Sequence, residues 1–103
     1  MVQVTVAATA DADTASILSD LETKAGKATA ARYNSLFESV YDRLADYPDS
    51  GPLRQALGPN IRIGIVPPYI IIYRHVAADD TVTILRIVHG RREIASRLLG
   101  DRS

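Results

Sequence analysis

The sequence predicts an α+β fold in which a helical hairpin packs on one face of an antiparallel sheet, in the order β-α-α-β-β-β-α. Three observations predict it. Period-two alternation opens the chain and returns after Asn60, a long stretch of helical spacing lies between, and glycine, proline or aspartate marks each change of period. With 103 residues and 47% hydrophobic side chains, the chain reads as one domain over 1–103 able to close a single core.

Val2, Val4 and Val6 alternate with Gln3 and Thr5, the pattern of a half-buried strand. Thr9 or Asp11 is placed to cap the first helix, and Asp11 and Asp13 sit near its positive end. Ala15, Leu18, Leu21 and Ala25 form its apolar stripe, and Gly26 stops it. The second helix runs from about Lys27 to Tyr47, burying Tyr33, Leu36, Phe37, Val40, Tyr41 and Leu44, and Pro48 ends it. So short a link makes the two helices an antiparallel hairpin.

From Asp49 to Asn60 the chain reads as a loop punctuated by Gly51, Pro52, Gly58 and Pro59. Three strands follow: Ile61 to Val66, Tyr69 to Tyr73 and Thr81 to Val88. Pro67-Pro68 and Ala78-Asp79-Asp80 turn between them, giving an antiparallel meander. Gly90 breaks the last strand, and Arg91 to Leu99 suits a short tail helix. Tyr69, Ile71 and Tyr73 lie opposite Ile70 and Ile72, so the sheet carries more apolar residues than one covered face needs. The tail helix, a dimer mate or a partner chain must cover the surplus.

Composition narrows the chemistry. The absence of cysteine excludes thiol nucleophiles and thiolate metal sites, and His75 and His89 are the only histidines. No metal site and no cofactor are expected. Ser39 and Ser50 have no histidine near them in sequence, and no glycine-rich phosphate loop occurs. No apolar run approaches the roughly 18 residues of a membrane span, and the start lacks a basic leader, so a cytoplasmic protein without membrane contact is expected.

The zero net charge is divided unevenly. Residues 1–50 hold four basic against eight acidic side chains, and residues 51–103 hold eight arginines against four acids. Arginine's planar fork suits carboxylates and phosphates. Arg86, His89, Arg91 and Arg92 cluster at the end of the last strand, with Arg62 and Arg74 on neighbouring strands. Such a set can form a docking surface for an acidic partner, stabilise and protonate a phosphodiester being cut, or pair with Glu93 and Asp101 as a basic rim. The residues alone leave these readings open.

Tyr69-Ile-Ile-Ile-Tyr73-Arg74, an acidic turn, and Val82-Thr-Ile-Leu-Arg-Ile-Val-His-Gly-Arg-Arg-Glu-Ile94 resemble the ending of the ParE/RelE superfamily of toxins. The upstream helical hairpin, Leu44-Ala-Asp-Tyr-Pro48 and Gly51 agree with it. The resemblance implies the RelE/ParE-like fold and a type II toxin neutralised by a cognate antitoxin, ParD-like or RelB-like. It leaves a homodimer or a toxin–antitoxin hetero-oligomer open. RelE-like members cleave messenger RNA on the ribosome, using an arginine where this chain has Ile70 and a tyrosine where it has Ala95. If the chain were such an interferase, Arg86, His89 and Arg91 would be its catalytic residues. Ile87-Val-His-Gly-Arg-Arg-Glu-Ile94 is closer to the ParE-like branch, whose known members poison DNA gyrase without being nucleases. That branch implies a docking role, toward target or antitoxin, for Arg62, Arg74, Arg86, Arg91 and Arg92. A family member that only binds antitoxin is the remaining alternative.

Overall fold

The structure is a computed structural model that describes residues 2–91 and Leu99. Its order is β1 (Gln3–Val6), α1 (Ala8–Ala25), α2 (Lys27–Asp46), β2 (Ile61–Val66), β3 (Tyr69–Val76) and β4 (Thr81–His89). Of the expected tail helix, the residues between Arg91 and Leu99 lie outside the described residues, and Arg92 lies there with them.

The strands form one sheet in the order β1-β4-β3-β2. β2, β3 and β4 make the antiparallel meander, but β1 joins β4 in parallel, with Gln3 opposite Thr81 and Val6 opposite Ile84. The sheet is therefore mixed rather than antiparallel throughout. Parallel neighbours need a long crossover, and the stretch from β1 to β4 through both helices provides one.

Gly26 alone separates the helices, at φ 95° and ψ 165°. An L side chain rarely adopts that φ, so the one-residue hinge depends on glycine. The start of α1 differs from expectation. Ala7, not Thr9 or Asp11, is its N-cap, with no side-chain cap. Strand pairing sets this start: the Ala7 N–H donates to the Ile84 carbonyl at 2.8 Å, and the helix begins where β1 leaves the sheet. The Thr9 hydroxyl instead donates to the Leu85 carbonyl at 2.8 Å. The buried face of α1 turns with it: Ala10 is buried, Ile17, Leu18 and Leu21 are half-buried, and Ala15 and Ala25 are exposed.

One core lies between hairpin and sheet, built on Phe37, Leu44, Val66, Ile71, Tyr73, Val82, Ile84 and Ile87. Leu36, expected in the buried stripe of α2, is 38% exposed. Ile84 and Ile87 share the helix-facing core although they are three apart in a strand. A register shift reconciles them: Ile72 pairs with Arg86 and Tyr73 with Ile84, leaving Leu85 as the extra residue of a β-bulge. The Thr9 hydroxyl bonds the carbonyl at that bulge, and the Asp13 carboxylate accepts the Ile87 N–H at 2.9 Å. The first turns of α1 thus cover the β4 edge where β1 ends, protecting a strand edge that would otherwise template further pairing.

Much of the apolar surplus on the other sheet face is covered within the chain. Leu57, from a 3-10 turn in the 49–60 loop, packs with Ile61, Ile63, Ile72 and Val88, and Leu99 lies against this second cluster. Ile65, farther along β2, is 61% exposed.

Candidate functional site

The arginines singled out in the sequence divide into those engaged by the fold and those presented at the surface. Arg86 is engaged. Its Nε donates to Asp13 Oδ2 at 2.7 Å and its Nη2 to Asp13 Oδ1 at 3.1 Å, a forked pair in which each side chain is 17% exposed. The Asp13 hydrogen bond pushes the Arg86 guanidinium above its ordinary pKa. Asp13, which reads in sequence as an acid near a helix start, fastens α1 to β4 by binding both a side chain and the Ile87 N–H.

Removing that carboxylate should take both bonds of the fork from a largely buried cation. Asp13→Ala is expected to cost about 2–4 kcal/mol, somewhat under the range for a fully buried pair because water still reaches both groups. Asp13→Asn keeps an acceptor for the Ile87 N–H and should cost less. Urea titration of both variants checks the order, and equal stability of Asp13→Ala and the unaltered protein would refute the assignment.

Arg62 is also engaged. Its Nη1 donates to the carbonyls of Gly51 (2.8 Å) and Asp49 (3.3 Å), and its Nε lies 3.2 Å from Asp49 Oδ1. His75 Nδ1 lies 2.6 Å from the same carboxylate oxygen. Beneath them the Tyr73 hydroxyl accepts the Gly51 N–H at 3.0 Å and donates to the Pro48 carbonyl at 2.9 Å. Burial pushes the Tyr73 pKa up, which keeps the proton this donation requires. Arg62 and His75 therefore clamp the loop that follows α2.

Arg74 and Arg91 are different. Arg74 is half-buried and Arg91 exposed, and neither side chain makes a hydrogen bond or ion pair among the described residues. Arg92 lies outside the described residues. Arg62, Arg74, Arg86, His89 and Arg91, the described members of the set, thus do not converge on one centre.

His89 ends β4, exposed, with its ring edge-on to Tyr69 at 5.8 Å. Its Nδ1 accepts the Arg91 N–H at 3.1 Å, placing the proton of the neutral ring on Nε2. It borders a cleft of about 280 Å³ whose other walls include Asp13, Ser16, Asp20 and Tyr69. Two carboxylates line this cleft, and Asp13 already binds the Arg86 fork. Burial also pushes the Tyr69 pKa above its ordinary value, away from proton transfer near neutrality. Among the described residues the cleft therefore lacks the converging cations that a phosphodiester needs in its transition state. No group of three metal-ligating side chains occurs among the described residues.

A second feature escaped the sequence reading. Arg32, Tyr33, Leu36, Ser39, Val40 and Arg43 follow one another along α2 at helical spacing, beside the buried stripe. They wall a groove between α2 and the outer edge of β2. Two cavities compose it, of about 290 and 430 Å³, sharing Val40, Arg43 and Ile65. Among the described residues, no acidic one lines either cavity. The signal in the sequence was the 4-3-4 spacing of Arg32, Leu36, Ser39 and Arg43, which assigning Leu36 to the core concealed.

Residues 4–94 match the profile of the family described as the ParE toxin of the type II toxin–antitoxin system, parDE. The chain is similar to Toxin ParE3 of Caulobacter vibrioides, 39% identical over 72 residues, which span 70% of this chain and 69% of that protein. The fold is similar to that in the chromosomal ParDE toxin–antitoxin system of P. aeruginosa, with a TM-score of 0.72 at 20% identity, over 86% of this chain and 96% of that one. It is also similar to the fold in the RelBE2 toxin–antitoxin complex of Mycobacterium tuberculosis, with a TM-score of 0.58 at 24% identity, over 85% and 96% of the two chains.

Proposed function

Because the chain belongs to the ParE family of type II toxin–antitoxin toxins, we propose that it arrests growth by binding and poisoning DNA gyrase, and that a cognate ParD-like antitoxin neutralises it. Family membership carries the toxin reading. The observation that favours binding over RNA cleavage is the state of the His89 cleft. Its walls carry Asp13 and Asp20, and the neighbouring Arg86 fork is held by Asp13. A ribosome-dependent nuclease would need these positions to gather positive charge around a scissile phosphate. Arg74, Arg91 and Arg92 then act as docking groups for the target, whereas Arg62 and Arg86 hold the fold together.

Conditional expression with pulse-labelling tests this reading. Nucleotide incorporation into DNA should fall first, while amino-acid incorporation persists. Abrupt translation arrest would favour the interferase reading, and unaffected growth a member that only binds antitoxin. His89→Ala should leave toxicity intact, because a general acid or base is worth roughly 10²–10⁴-fold in rate only where one is used. Arg91→Ala combined with Arg92→Ala should weaken toxicity by reducing target binding. Cleavage of ribosome-bound messenger that disappears in His89→Ala would overturn the gyrase reading.

A further inference from the structure

We propose that the open face of the sheet, at the end where Arg74, Thr83 and Thr5 stand in a row, holds a backbone phosphate of duplex DNA. This rests on the docking role given to Arg74 above and names what it docks.

The charge of the sheet supplies the first argument. Its four strands contain Arg62, Arg74 and Arg86, and no aspartate or glutamate. Arg62 is bound to the loop after α2, and Arg86 to Asp13. Arg74 differs from both in the face it occupies. Tyr73 belongs to the core under the helices and Ile72 to the cluster on the other side, so period two turns Arg74 to the open face. It is half-buried there, opposite Ile61 of β2. Arginines withdrawn from water are ordinarily paired, yet among the described residues no acid shares this face with it. Asp79 and Asp80, the nearest acids in sequence, sit in the turn beyond β3, and neither forms an ion pair with Arg74.

The neighbours of Arg74 are donors. Thr83 lies opposite it on β4, and Thr5 opposite Thr83 on β1. Adjacent strands run about 5 Å apart, so the three positions span about 10 Å across the sheet. The Thr5 hydroxyl donates to the Thr83 oxygen at 3.4 Å, which leaves the Thr83 proton for an outside acceptor. Gln3 and Thr81, paired in the next row, add an amide and another hydroxyl. Arginine with threonine hydroxyls and side-chain amides is a donor set by which proteins hold the DNA backbone.

The shape of this face selects the duplex. Arg74, Thr83 and Thr5 line none of the clefts described above, so they form an open ledge suited to the outside of a polymer. Single strands are held by stacking their bases on aromatic rings. The aromatic side chains all lie elsewhere: Tyr33, Phe37 and Tyr41 on α2, Tyr47 just after it, and Tyr69 and Tyr73 on the helix-facing side of β3. The ledge therefore offers hydrogen bonds and charge to a phosphate and no platform to a base.

The probe is a short mixed-sequence DNA duplex, titrated into the intact chain at low salt and followed by fluorescence anisotropy. Arg74→Ala should weaken binding at least roughly 10-fold and flatten the dependence of log affinity on log salt by about one unit. Arg74→Lys should recover part of the loss, because the charge returns without the fork. Thr83→Val, which removes the hydroxyl at nearly constant shape, should weaken binding roughly 2- to 5-fold. Lys27→Ala, an equal loss of charge at the exposed hairpin end, should bind as the unaltered protein does. Thermal melts confirm that each variant folds. On the unaltered chain, which needs no variant, the duplex should shift the NMR signals of the Arg74 Nε–H and of Thr83. Polyglutamate of equal charge, single-stranded RNA of equal length and inorganic phosphate at equal phosphate concentration should each shift them less. No binding by the unaltered chain, full-strength binding by Arg74→Ala, or a stronger response to any of those three probes overturns the proposal. A chain that binds the duplex as expected yet leaves DNA synthesis untouched when expressed would sink the gyrase reading alone.

Discussion

Phe37→Ala is expected to destabilise the protein by about 3–5 kcal/mol, the cost of deleting a large buried aromatic and leaving a cavity. Phe37 is the only phenylalanine in the chain and is 1% exposed. Its ring lies 5.8 Å from that of Tyr69, edge to face, and 6.5 Å from that of Tyr33. Tyr33 and Tyr69 also meet edge to face at 5.7 Å, so the three rings form one cluster between α2 and β3. Such ring pairs add roughly 0.5–1.5 kcal/mol beyond burial. Set against the roughly 5–15 kcal/mol available to a domain, the loss is large enough to unfold a marginal one. Denaturant titration should show a lower midpoint with an unchanged slope, and Phe37→Leu should recover part of the loss. A variant that melts with the unaltered protein would show that α2 does not seat on the sheet through this side chain.

Gly51→Ala should have the second large effect, through a different physical cause. A Cβ at this position would lie 2.0 Å from the Ile63 carbonyl oxygen and 2.8 Å from the Tyr73 hydroxyl. The backbone atom cannot swing aside as a flexible side chain would, so the loop itself must move. That motion breaks the bond from the Gly51 N–H to Tyr73 and loosens the one from Arg62 to the Gly51 carbonyl. Overpacking typically costs about 1–3 kcal/mol, and each lost hydrogen bond adds about 1 kcal/mol. The total expected is about 2–5 kcal/mol. Tyr73→Phe separates the two causes, since it deletes the hydroxyl without adding volume and should cost only about 1–3 kcal/mol. Thermal melts of the two variants should differ in that order, and a fully stable Gly51→Ala would mean that the loop does not rest on β2.

The helix hairpin and the meander were legible because each is written locally. Gly26 and Pro48 bound α2 in the sequence and in the structure, and Ile61 to Val66 is a strand in both. The partners of the candidate site's arginines were less legible, and Arg86 shows why. A surface arginine and one fastened by a carboxylate have the same local sequence. Asp13 lies 73 positions away and becomes its partner only because β1 docks beside β4. Arg62 likewise depends on a loop 11 to 13 positions upstream folding back over β2. Arg32 and Arg43 were passed over because Leu36, which shares their stripe, reads by its spacing as a core residue.

The sequence by itself determined the order of elements from β1 to β4, the α+β class, Phe37 and Leu44 as core residues, and membership of a toxin family, since hydrophobic period, turn chemistry and motif are properties of neighbouring residues. Tertiary structure alone decided the direction in which β1 enters the sheet, the bulge at Leu85 that brings Ile84 and Ile87 to one face, and which arginines spend their charge inside the fold. Each of these depends on pairings between residues far apart in the chain. Many registers satisfy the same local period, and only the packed whole, with its buried polar groups partnered, selects one.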